Sequence, residues 1–271
     1  MNGYNIELLI EAFRKQFELR QSDYWANELL EYSPPVLWFG DSSRKEKIVT
    51  IGANPSRREF LDSRDGRYLS ASKRRFHHLR TSDNSDILED EETLSRIIQS
   101  FDSYYHRNPY RTWFGRPRGS KVEGFLNGLG ASLYGLESVG AVHADLIPFV
   151  TMSDFSKLNE HLLKTDLFRG GWAKSFFDKL MEFLNPSMII AFGRTNAGWF
   201  SRYYERLELD RTFHSNGKRR VLYGISDYRI HDRDIPLVEL SVNLGNPIGF
   251  TREMLNEFGA FVGSKMRARR F

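Results

Sequence analysis

Apolar residues recur at helical spacing near the start of the chain. Ile6, Leu9, Ile10, Phe13 and Phe17 fall on one face, which predicts a helix over 5–31, closed by Pro34 and Pro35. Four β-branched or continuously apolar runs follow: "KIVTIG" at 47–52, "AVHADLIPF" at 141–149, "SMIIAFG" at 187–193 and "LVELSVN" at 237–243. Each predicts a strand. The third has no charged position at all, the pattern of a parallel strand covered on both faces. Between and after them, helical spacing recurs at 122–135, 170–185, 195–209 and 251–262, with Pro186 stopping the second of these. Residues 211–225 read as a hairpin turning at Asn216-Gly217. The segment 57–120 is a long, polar, loop-rich insertion, and its acidic stretch 83–92 predicts a solvated face at a helix start.

Strands that alternate with helices imply one α/β domain over 1–271 with a mostly parallel, four-stranded sheet, an N-terminal helical extension at 1–44 and the insertion at 57–120. No internal repeat interrupts that order. Ligands of such sheets bind beyond the carboxyl ends of the strands. Three segments leave those ends: Gly52–Ser56, Asp145–Phe149 and Asn243–Arg252. A site is expected to draw on all three.

Composition narrows the chemistry. The chain has 271 residues, 40% hydrophobic and 14% aromatic, enough for a core of normal size. It has no cysteine, so disulfides, thiolate nucleophiles, thiolate zinc sites and cysteine-held iron–sulfur clusters are excluded. The charged, amphipathic start is unlike a signal peptide, and no apolar run approaches the roughly 20 residues of a membrane span, so a cytoplasmic protein is expected. Lys and Arg number 39 against 35 Asp and Glu. Their distribution says more than the excess. Basic residues cluster at 72–80, 110–121, 217–220 and 265–270, and two of the clusters interleave Arg with Phe, Tyr or Trp. That combination offers cations to phosphate and flat rings to bases. Solvated faces are the competing explanation. The histidines show no metal-ligand spacing, and neither a metal nor a cofactor is expected.

The first strand end reads Gly52-Ala53-Asn54-Pro55-Ser56. Gly52 permits a tight turn, and Pro55 keeps Asn54 out of the α region, so its amide projects from the strand end. A carboxamide has donors and an acceptor with which to hold a water in one place. The same five residues also make an ordinary turn or helix cap. The last strand end leads to Asn246-Pro247-Ile248-Gly249-Phe250-Thr251-Arg252. Thr251 suits a helix N-cap. Phe250, between Gly249 and Arg252, is either a wedge for a base stack or an anchor of the last helix in the core.

The pair of motifs, in this order, resembles the uracil-DNA glycosylase superfamily, closest to its mismatch-specific uracil/thymine branch. The resemblance spans about 45 to 262 and leaves 1–44 and 57–120 poorly covered. It implies a three-layer α/β/α sandwich, a monomer and a DNA partner whose target base is flipped from the stack. It implies that Asn54 positions the water that attacks the sugar C1′, with backbone N–H groups near Ala53 and Ser56 as donors to the departing base. It implies that Asn246, Gly249, Phe250 and Arg252 form the loop that fills the vacated stack. An aromatic ring after the first motif would stack on the flipped base. Tyr68, Phe60 and Phe76 are candidates, with Tyr68 at the best spacing. Two departures matter: the histidine of the classical uracil enzymes is missing from the second motif, and Ile248 replaces a serine.

The middle strand ends with His143 and Asp145 on one face. Uracil-excising members usually present an asparagine here. An ionised Asp145 only accepts, which suits an exocyclic amine such as cytosine N4 and disfavours a uracil carbonyl. The expected substrate is therefore a damaged or modified cytosine, as in repair or in defence against modified phage DNA. The alternatives are uracil excision and a catalytically weak DNA-binding relative. Structural pairing of Asp145 with an arginine stands as the competing explanation.

Overall fold

The computed structural model describes residues 3–80, 85–204, 208–215 and 219–269. Its helices are α1 (Gly3–Arg20), α2 (Asp23–Glu28), α3 (Glu91–Asp102), α4 (Arg111–Phe114), α5 (Lys121–Leu129), α6 (Glu160–Leu163), α7 (Trp172–Leu184), α8 (Arg194–Tyr203) and α9 (Arg252–Arg269). Its strands are β1 (Lys47–Gly52), β2 (Ala131–Ser132), β3 (Val139–Asp145), β4 (Met188–Phe192), β5 (Arg211–Ser215), β6 (Arg219–Ile230) and β7 (Arg233–Leu240). The fold is α/β, as expected.

Among the described residues the sheet has seven strands, in the order β2-β3-β1-β4-β7-β6-β5, which corrects the expected four. It is mixed: its centre is parallel as expected, and an antiparallel flank is added. β2–β3, β1–β4 and β4–β7 pair in parallel, whereas β7–β6 and β6–β5 pair antiparallel. The four expected strands are its centre. Parts of the sheet escape a hydropathy pattern for physical reasons. β2 is two residues long, and β6 carries exposed charged residues at 219, 220, 227 and 229. β7, the fourth expected strand, begins earlier than expected and includes Pro236, which has no N–H to give to a ladder. The expected hairpin at 211–225 is present as the β5–β6 pair, with its turn, Asn216-Gly217, outside the described residues.

Chain contacts divide the protein into two compact units. The first comprises Met1–Phe39, Ala53–Asn108 and Ala144–Leu184. Here the expected long helix 5–31 is broken into α1 and α2 at Ser22, whose extended backbone caps the shorter one. The polar insertion is more ordered than its composition predicts. α3 occupies twelve of its residues and begins behind an Asp90 N-cap, as the acidic stretch implied. Its apolar stripe, Leu94, Ile97, Ile98 and Phe101, is buried. Phe39, Phe60, Phe76 and Tyr104 form an aromatic core, with Phe76 stacked on Tyr104 at 4.9 Å. That core absorbs much of the aromatic excess.

The second unit comprises Gly40–Gly52, Pro109–His143 and Asn185–Phe271. It holds nearly the whole sheet with α5, α8 and α9. The expected helix over 122–135 ends earlier, at Gly130, which takes a left-handed φ of 80°. α5 and α9 approach closely because Gly128 and Gly259 face each other's backbone, where a methyl group has no room. Among the described residues, no helix is long and apolar enough to cross a membrane, and no group of three or more acidic or histidine side chains is placed to hold a metal ion.

Candidate functional site

Asn54, Ala53, Tyr68 and Asp145 belong to the first unit. β1 stops at Gly52, and the chain continues through Ala53, whose carbonyl accepts from Ile147 N at 3.2 Å. Gly140 N likewise donates to Glu46 O, so β1 and β3 advance in the same direction and end side by side. Asn54 and Asp145 therefore both lie at carboxyl strand ends. Asn54 is half-buried. Its Nδ2 donates to Thr151 Oγ1 at 2.8 Å and to the Phe149 carbonyl at 3.4 Å. A carbonyl can only accept, so the amide orientation is fixed by chemistry. Thr151 donates its own proton to Ser153 O at 2.7 Å and must accept from Asn54. The 149–153 segment is itself pinned by Leu30 N on Val150 O, Met152 N on Glu28 O and the Arg57 guanidinium on Met152 O. Both amide hydrogens are thus committed, and Oδ1 takes no hydrogen bond among the described residues. A rigid acceptor of this kind orients one hydrogen of a water.

Asp145 closes β3 and is 7% exposed. Glu59 lies four residues beyond Pro55, in a short 3₁₀ turn capped by Ser56 Oγ. It is 2% exposed. Tyr104 OH donates to its Oε2 at 2.8 Å, and Arg75 Nε sits 3.8 Å from the same oxygen. Burial pushes this carboxyl up, Arg75 and Tyr104 pull it down, and the charge of Asp145 pushes it up again, to about 7 in all. Sequence reasoning missed it. Ser56-Arg57-Arg58-Glu59 has the spacing of a capping box, in which Glu59 would return to Ser56. The side chain instead turns inward.

Of the three candidate rings, Phe60 and Phe76 are core residues, 0% and 1% exposed. Tyr68 keeps 37% exposure. Its hydroxyl donates to Glu31 O at 2.6 Å, and Tyr32 and His78 meet it edge-on. Burial, followed by the Glu31 charge, pushes the phenol up to about 12, so it remains a neutral donor.

His143 and the second motif belong to the other unit. His143 is 2% exposed, bonds Thr50 Oγ1 through Nδ1 at 2.9 Å and packs against Phe114 and Phe192. It has the surroundings of a core residue. The second motif forms a tight loop. Asn243 Oδ1 accepts from Gly245 N, and Ile248 N and Phe250 N close turns on Asn246 O and Pro247 O. Gly249 has φ 76° and lies under the Arg219 guanidinium, whose Nε donates to its carbonyl at 3.2 Å. Only glycine fits there. Thr251 Oγ1 accepts from Met254 N and caps α9, as expected. Asn246 and Arg252 are exposed and Phe250 is half-buried. The apolar side chain presented to solvent is Ile248, at 79% exposure, which the sequence marked only as the replacement of a serine. The basic segment 110–121 braces this loop: Trp113 covers Gly245 and Lys121 Nζ donates to Gly245 O at 3.1 Å. Arg116 and Arg118 stand exposed beside that brace.

No protein-family model matches this chain, and no curated protein is significantly similar to it.

Proposed function

We propose that the protein is a monofunctional DNA glycosylase of the uracil-DNA glycosylase type, acting on a flipped, cytosine-type base. The observation that carries this reading is the clamp on Asn54. An asparagine at a strand end with both amide hydrogens bound and its Oδ1 open has one chemical use, to fix the position of a hydrogen-bond donor. With water as that donor, the oxygen lone pair is aimed rather than free to tumble, and attack on the sugar C1′ gains from orientation. The glycosidic bond breaks with its electron pair leaving on the base, and the water oxygen bonds C1′, which yields an abasic site.

Asp145 supports the base class, because a carboxylate at the neighbouring strand end accepts from an exocyclic amine. Tyr68 supplies a partly exposed aromatic ring for stacking. In the other unit, the Ile248 loop with Arg116, Arg118, Arg219 and Arg252 offers what a duplex needs from a protein: an apolar tip that enters a base step and cations for phosphate. The three-layer sandwich belongs to the same reading.

The test is incubation with duplexes carrying uracil, thymine mismatches, and damaged or modified cytosines, with mass spectrometry of released bases and alkali cleavage of the strand. Release of one or more free bases, with alkali-labile sites left behind and no spontaneous strand nick, is the expected result. No release from any duplex overturns the reading.

A further inference from the structure

The Asn54 clamp accounts for the attacking water and leaves the departing base without a proton. The missing histidine of the second motif deepens that gap. A cluster within the first unit fills it. Glu59, Tyr104, Arg75 and Asp145 form a group of ionisable side chains around one buried carboxyl.

We propose that Glu59 is the acid that protonates the departing base, a role that rests on the glycosylase reading above. Its two oxygens are unequal. Tyr104 OH and Arg75 both address Oε2, so negative charge concentrates there. Oε1 takes no hydrogen bond among the described residues and is the oxygen that carries the proton. Arg75 cannot swing away, because its Nε is held by Asn108 O at 2.8 Å and its guanidinium also bonds Arg58 O. Arg57 and Arg58, the other charges of the same turn, are exposed. Asp145, at the end of β3, is the acidic group whose charge acts on Glu59, in the upward direction. Burial and the charge of Asp145 raise the Glu59 carboxyl to about 7 against the pull of Arg75 and Tyr104, so Glu59 still holds a proton near neutrality.

That proton gives the site a direction. The Asp145 carboxyl accepts from the N4 amine of a cytosine, and the neutral Glu59 donates to the adjacent ring nitrogen N3. A donor beside an acceptor complements cytosine and mismatches uracil, whose carbonyl and N3–H present the reverse order. As the C1′–N1 bond breaks and its electrons enter the ring, the Glu59 proton moves to N3 and the base leaves neutral. The carboxylate left behind is stabilised by Arg75 and Tyr104. The attacking water adds its oxygen to C1′, and the proton it sheds returns to Glu59 through solvent, so the step balances as hydrolysis. A carboxyl pushed to about 7 is matched to this work at neutral pH.

The experiment measures single-turnover base release against pH for wild type, Glu59→Gln and Tyr104→Phe. The substrate is the modified-cytosine duplex that wild type cleaves best. Carbon-13 spectra of glutamate-labelled protein follow Glu59 directly, with Glu59→Gln assigning its signal. The wild-type rate is expected to fall above about pH 7 as Glu59 loses its proton. Glu59→Gln is expected to lose that limb and roughly a hundredfold in rate. Tyr104→Phe removes a bond to the ionised form, so its limb moves to higher pH with most of the rate kept at neutrality. A purely structural Glu59 would lower the rate without altering the profile, and that outcome overturns the proposal. So does a Glu59 signal titrating in the ordinary carboxylate range in a protein that releases bases. Titration near neutrality with no base release from any duplex overturns the glycosylase reading instead, and this role with it.

Discussion

The amide of Asn54 donates to the hydroxyl of Thr151 at 2.8 Å, and that hydroxyl in turn donates to the carbonyl of Ser153. The relay runs one way, so Thr151 decides which face of the Asn54 amide looks outward. Asn54→Ala is expected to lower single-turnover base release roughly a hundredfold or more, the usual loss for a group that acts only at the reacting centre. Thr151→Val keeps the shape and deletes the acceptor, and about a tenfold loss is expected. DNA affinity should stay within about twofold of wild type in both. A Thr151→Val protein with wild-type rates would show that Phe149 O alone holds the amide.

Ile248 and Phe250 should behave in opposite ways. Ile248 is 79% exposed, so Ile248→Ala removes little packing and its melting temperature should match wild type. Its cost should appear in excision from duplex DNA and be absent with single strands, because opening a stack costs about a few kcal/mol only where a stack exists. Phe250 is half-buried ahead of α9, so Phe250→Ala should lower the melting temperature. Thermal melts and paired duplex and single-strand rates for both variants check this. Equal losses for Ile248→Ala on both substrates would remove it as a wedge.

The contrast between those two residues shows where the sequence stops being legible. β1 is readable as a β-branched run and β4 as an unbroken apolar one, the patterns of buried central strands. The antiparallel flank is readable only in part: the hairpin turn and the apolar run from Leu237 show, whereas the second half of β6 alternates charge with apolar residues and the start of β7 carries a proline. Asn54 is legible because proline fixes its backbone. Glu59 is not: its spacing from Ser56 fits a cap, and only tertiary packing turns it toward Tyr104. Thr151 lies 97 positions from Asn54, and no local pattern announces such a partner.

Asp145 carries the substrate claim. Asp145→Asn exchanges an acceptor for a group that also donates. A good base-edge pairing is worth about 1–3 kcal/mol, so preference should move from an amine-bearing base toward uracil by roughly ten- to a hundredfold. Competitive excision from matched oligonucleotides by both proteins measures the shift. A wild type that already favours uracil, and loses that preference in the variant, would mean that Asp145 reads no amine.

Glu239 yields a prediction independent of catalysis. It lies on β7, opposite Ala191 of β4 and Gly224 of β6, is 1% exposed and has no hydrogen-bond partner at Oε1 among the described residues. Burial alone pushes its carboxyl from 4.5 to about 8. The native state therefore holds a proton that the unfolded chain releases between those two values. Stability contributed by the neutral form is complete below pH 4.5 and is lost as pH rises toward 8, with a slope of up to ~1.4 kcal/mol per pH unit for one proton. Glu239→Gln fills the same volume and never ionises. Its stability relative to wild type should rise steadily from pH 5 to pH 8 and level off above that. Urea unfolding of both proteins at pH 5, 6.5, 8 and 9 measures the difference, in which the other titrating groups, Glu59 among them, cancel. A gap that stays constant across this range would mean that Glu239 is ionised in the native protein and has found a partner.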